Sequence, residues 1–141
     1  MLSNGTKAAL AVAAFALASC SGTYWTTGNP TWVNLSGADE VPPVSTNASG
    51  NGRFVIEPSG EVTGNIVVSG MNAAAAHIHV GAAGTNGPVI ITLVKSGDGF
   101  AAPAGAKLTA EQLVDLRYDR LYVNVHSPQH KGGEIRGQLR Y

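Results

Sequence analysis

The chain has 141 residues, nine basic and nine acidic side chains, and no formal net charge. It shows no basic stripe and no basic–aromatic interleaving, which argues against a nucleic-acid binder. A 44% hydrophobic content argues against a disordered chain. The length suits one domain with a short appendage, and 18 glycines spread along it favour short strands and tight turns over long helices.

Lys7 leads into an apolar run, Ala8 to Leu17, that ends Leu17-Ala18-Ser19-Cys20. A run this short after a basic residue reads as a secretory signal, not as a permanent span. Cys20 is the single cysteine, so no disulfide can absorb it, and a free thiol is a liability in an oxidising compartment. The tetrapeptide resembles the lipobox of bacterial lipoproteins. That resemblance implies a signal peptide over 1–19 and lipidation of Cys20. Several acyl chains would anchor stably, since each buried methylene contributes about 0.8 kcal/mol. Ser21, in place of aspartate, resembles the pattern sent on to the outer membrane in a Gram-negative host. The expected location is therefore the bacterial cell envelope, lipid-anchored, at the periplasmic side or the cell surface. Residues 20–30 read as a tether, small and polar apart from Tyr24 and Trp25, which could pack on the domain or sit at the membrane interface.

The folded region is expected over 31–141. Thr31 to Leu35 alternates around Trp32 as a half-buried strand. Pro42-Pro43 forbids helix interior and central strand, so 35–44 is a rigid extended connection. Gly52–Glu57 and Glu61–Ser69 form a hairpin turned by Pro58-Ser59-Gly60. His77 to Val80 is a β-type segment, followed by a glycine-rich loop at 81–87. That loop lacks the Lys-Ser/Thr pair and the helix of a phosphate-binding loop. Pro88 to Ser96 is nearly continuously apolar and is expected to be buried on both faces.

Thr109-Ala110-Glu111-Gln112 has the form of a capping box and opens one short helix, Ala110–Leu116. Arg120–His126 and Glu134–Arg140 alternate as strands. The arginines of the last one are expected to be solvated edge protection. About seven strands and one helix predict an all-β fold, a Greek-key β-sandwich or flattened barrel.

Three blocks resemble the CHRD domain, the module named after chordin. They are Leu-Ser-Gly-Ala-Asp-Glu-Val-Pro-Pro-Val at 35–44, His-Ile-His-Val-Gly-Ala-Ala-Gly-Thr-Asn-Gly-Pro-Val at 77–89, and the stretch from Tyr122 to Leu139 containing Val-His-Ser-Pro-Gln-His-Lys-Gly-Gly-Glu. The blocks fall in the family's order. The resemblance implies a β-sandwich-like domain and little about activity.

All four histidines fall in two short clusters, His77 with His79 and His126 with His130. Residues two apart on a strand share a face, so His77 and His79 project together, roughly 7 Å apart at Cα. If the two segments are neighbours, as many as four imidazoles converge on one ion. Imidazoles without thiolates suit copper(II), zinc or nickel. An all-nitrogen set and the Irving–Williams order favour copper, with zinc as the alternative. Tyr122 and Asn124 share the His126 face. Tyr122 is a candidate to back the ligands. Glu134 is the nearest carboxylate, and it reads as a solvated turn residue.

The competing reading makes these histidines structural, bonded to backbone carbonyls, in a non-metal interaction module. The His-x-His on a β-fold is also similar to the copper half of copper/zinc superoxide dismutase. The chain lacks the further histidines, the aspartate and the disulfide cysteines of that enzyme. It shows neither a nucleophilic triad nor a glycosidase carboxylate pair. Binding is therefore favoured over turnover.

Overall fold

The computed structural model describes residues 28–140; the signal segment, Cys20 and most of the tether lie outside them. Nine strands form one antiparallel sheet. They are β1 (Asn29–Ser36), β2 (Ser49–Ile56), β3 (Val62–Ser69), β4 (Ala75–Val80), β5 (Val89–Thr92), β6 (Val94–Ser96), β7 (Gly99–Ala101), β8 (Leu121–His126) and β9 (Ile135–Gln138). Their spatial order is β5-β4-β8-β9-β1-β2-β3-β7-β6.

The first and last strands of that order are separated in sequence by Leu93 alone. One segment therefore starts at one edge of the sheet and finishes at the other, which curls the sheet into a nearly closed barrel. Leu93 marks the bend: its N–H donates to the Ala76 carbonyl at 2.9 Å and its side chain is buried. The all-β, flattened-barrel expectation matches this architecture. The strand count exceeds seven because the 88–96 run divides at Leu93 and because Gly99–Ala101 adds a short strand.

That run is not buried on both faces. Val89 and Val94 are each 48% exposed, while Ile91 and Leu93 point inward. A terminal strand that bends between two partners can bury only one side of itself.

Period-two alternation builds the core. Phe54 and Ile56 of β2 meet Val62 and Ile66 of β3 on the inner face, and Ala76, Ile78, Leu121, Val123, Val125 and Ile135 line the opposite wall. Each large side chain so buried contributes about 1.5–3 kcal/mol. The β2–β3 hairpin pairs Phe54 with Gly64, and Gly60 turns it at a φ of +90°.

One α-helix, α1 (Ala110–Arg117), precedes β8. Its capping box is complete. The Gln112 amide donates to Thr109 Oγ1 at 3.2 Å, and the Thr109 amide donates to Gln112 Oε1 at 2.9 Å. Leu116 is fully buried, and Leu113 packs against the core.

Candidate metal centre

β4 and β8 are antiparallel neighbours, with His77 opposite Asn124 and His79 opposite Tyr122. Alternation sends Ile78, Val123 and Val125 into the barrel and turns His77, His79, Tyr122, Asn124 and His126 onto its outer wall. Loops from 81–88 and 127–134 cover that wall, so His79 is only 8% exposed.

One ring nitrogen from each of His77, His79 and His126 lies within 4.8 Å of the others. His77 Nδ1 and His126 Nε2 are 3.0 Å apart. His79 Nδ1 lies 2.9 Å from the Gly87 carbonyl oxygen, and His126 Nδ1 lies 2.9 Å from that of Lys131. A carbonyl only accepts, so each of these Nδ1 atoms carries the proton. In the neutral ring the lone pair then sits at Nε2. Metal-binding imidazoles are held in this way, with the far N–H given to a carbonyl.

Burial holds the His77 pKa below its usual 6.5, helped by the charges of His126 and His79. Burial also lowers His79, against the opposing effects of the Gly87 carbonyl and the Asn124 side chain. Both rings therefore keep their lone pairs near neutral pH.

Tyr122 stacks flat on His79, with centroids 4.7 Å apart and planes 5° from parallel. Its hydroxyl accepts from the Gly87 amide at 3.2 Å, so it braces both the ring and the loop. A Cβ at Gly87 would collide with the Val80 carbonyl, so only glycine brings this loop so close to β4. The Arg136 guanidinium lies 3.4 Å from the other side of Tyr122.

Arg136 corrects the expectation of solvated edge arginines: it is 1% exposed. β9 is an interior strand between β8 and β1, and the 81–88 loop lies over it. Arg136 donates to the Ala82 carbonyl at 3.0 Å, Gln138 Oε1 at 3.2 Å and Asn86 Oδ1 at 3.4 Å. Arg140, beyond the strand, is exposed.

Three of the four histidines come together, and His130 stays outside the group. The 127–130 segment is a tight turn in which the His130 amide bonds to Ser127 Oγ at 3.1 Å. What this loop brings to His126 is the Lys131 backbone carbonyl, not a second ring. Glu134 also departs from its solvated reading. It is 7% exposed, and its Oε1 accepts from Thr46 Oγ1 at 2.7 Å. Hydrogen bonding from Ser127 first, and from Thr46, holds its carboxyl below the usual 4.5.

Two further groups lie at the site: Asn124, which strand alternation places on the His126 face without a role, and Glu40. Asn124 Oδ1 sits 2.9 Å from His79 Nε2 and 3.0 Å from His126 Nε2. Glu40 is 5% exposed, and its Oε1 has no hydrogen-bond partner among the described residues. Burial pushes its carboxyl up from 4.5, opposed by the Val41 amide, Arg136 and the Asn124 side chain. Only the placement of Glu40 within the 35–44 block, one residue before Val41-Pro42-Pro43, hinted at it.

The fold and site define a class: a nearly closed antiparallel β-barrel with three histidines gathered on its outer wall beneath two loops. The chain belongs to the CHRD domain family, whose sequence profile matches residues 32–139. Glu40, His77, His79, Asn124, His126 and Arg136 all fall inside that match. No curated protein and no solved structure matches the chain.

Proposed function

We propose that this is an extracytoplasmic metal-binding protein, lipid-anchored through Cys20, whose CHRD domain holds copper(II) through His77, His79 and His126. The observation that carries the reading is the convergence of three ring nitrogens within 4.8 Å, two of them on rings whose Nδ1 faces a backbone carbonyl. An all-imidazole set without thiolate favours copper, with zinc as the alternative. Storage or delivery of the ion fits the site better than turnover. Copper(II) titration of the full chain, followed by EPR, tests it: binding with nitrogen hyperfine structure is expected, and no tight binding would overturn it.

The anchor rests on Leu17-Ala18-Ser19-Cys20, which lies outside the described residues. Cys20→Ala should move the protein from the membrane fraction to the soluble one, and continued membrane retention would refute lipidation.

A second reading is favoured by the same carbonyl bonds. His79 and His126 tie the 87 and 131 loops to the barrel, which suits structural histidines in an interaction module without metal. The titration separates the two readings.

A further inference from the structure

Three imidazoles leave a four-coordinate ion one donor short. We propose that Asn124 Oδ1 supplies the fourth donor and that Glu40 is the positioning residue that turns the amide this way; the inference rests on the metal reading above.

The Asn124 side chain has two ends in different surroundings. Its Nδ2 end faces acceptors: the Gly132 carbonyl at 3.5 Å and the buried carboxyl of Glu40. Its Oδ1 end faces His79 Nε2 and His126 Nε2 at 2.9 and 3.0 Å. An amide N–H₂ belongs beside a carboxylate and a carbonyl, which leaves the oxygen on the rings. The two imidazoles direct their Nδ1–H groups at the Gly87 and Lys131 carbonyls, so in neutral rings both Nε2 atoms turn a lone pair toward Oδ1. The His77 Nδ1–H reaches the His126 lone pair at 3.0 Å, which leaves His79 Nε2 and Oδ1 facing each other at 2.9 Å with no proton between them. A cation relieves that conflict. Donor atoms around one ion at 2.0–2.1 Å stand about 2.9 Å apart when adjacent in a square plane, the copper(II) preference, and about 3.3 Å apart in a tetrahedron. Asn124 Oδ1 stands 2.9 and 3.0 Å from the two Nε2 atoms, and the three ring nitrogens lie within 4.8 Å of one another.

Glu40 Oε2 accepts from the Val41 amide at 3.4 Å, and the Arg136 charge acts on the same carboxyl. Its Oε1 is buried and lacks a hydrogen bond among the described residues, a costly arrangement unless a donor turns toward it. Gly133, at a φ of +129°, makes the approach possible, because a Cβ there would strike both Glu40 Oε1 and Asn124 Nδ2. A carboxylate behind the amide also polarises its oxygen and places negative charge near the cation, as outer-shell partners do.

The test is a double-mutant cycle on the full chain, read by copper(II) affinity and EPR, with Tm as the folding control. Glu40→Gln should weaken binding about 10-fold. Asn124→Leu should weaken it at least as much and change the EPR parameters. Adding Glu40→Gln to Asn124→Leu should cost nothing more. The swap Glu40→Gln with Asn124→Asp keeps volume and charge, and it should restore tight binding even if Glu40→Gln alone folds poorly. A wild type that binds no copper overturns the metal reading and this one with it. A wild type that binds, with Glu40→Gln and Asn124→Leu unchanged, overturns this inference alone. So does an equal loss from Glu40→Gln in both backgrounds.

Discussion

His77 Nδ1 lies 3.0 Å from His126 Nε2 across the β4–β8 pair, although the two residues are two ladder steps apart. Because His126 Nδ1–H faces the Lys131 carbonyl, His126 Nε2 is the acceptor and His77 Nδ1–H the donor in this hydrogen bond. A bound cation would replace the shared proton, so protons and metal would compete for the same lone pairs. Burial keeps His77 and His79 below 6.5, so protons compete weakly at neutral pH. Copper affinity should stay nearly flat down to about pH 6.5 and fall only as pH drops through the lowered values of His77 and His79. Titrations at pH 7.5, 6.5 and 5.5 check this, and affinity that rises on acidification would contradict it.

Glu134 fastens the 127–134 loop to Thr46 and Ser127, and those hydroxyls hold its pKa below 4.5. The unfolded chain binds that proton more readily, so unfolding takes up a proton as pH drops below about 4.5. The stability this group contributes is present above that pH and is lost as pH falls through the lower folded value. Glu134→Gln should lower Tm at pH 7 and flatten the decline between pH 5 and 3. Thermal melts across that range would show it.

Arg136 is locked between Tyr122 and the 81–88 loop. Arg136→Ala removes the stacked guanidinium and strands the Ala82 carbonyl and the Gln138 amide oxygen. A loss of about 3 kcal/mol is expected, measured by urea unfolding. Arg136→Lys should recover little, because an ammonium cannot reproduce the planar fork and the stacking.

The capping box at Thr109 acts locally on α1. Thr109→Ala should cost about 1 kcal/mol and leave metal affinity unchanged, since the helix contributes no residue to the histidine group.

The parts of this molecule legible from sequence are those governed by local rules. Strand period placed His77 and His79 on one face, Thr109 and Gln112 announced their helix, and Pro58-Ser59-Gly60 announced its turn. The three blocks that resemble a CHRD domain joined the His77 segment to the His126 segment. What stayed hidden depends on contacts distant in sequence. Nothing near Arg136 says that a loop from 81–88 will cover it. Nothing near Leu93 says that an apolar run will change partners there. His130 lies four residues from His126, but the turn between them presents a carbonyl. Asn124 and Glu40 are ordinary polar residues in sequence, and they become distinctive only where the chain folds them against two imidazoles.

We propose that His77, His79 and His126, and not His130, hold the ion. Copper(II) titration of the wild type and of the four single alanine variants tests it most directly, with EPR of each loaded form. The wild type should show one tight site, lost or weakened at least 10-fold in His77→Ala, His79→Ala and His126→Ala. His130→Ala should bind like the wild type. Binding that survives all three cluster substitutions, or that fails only in His130→Ala, would contradict it.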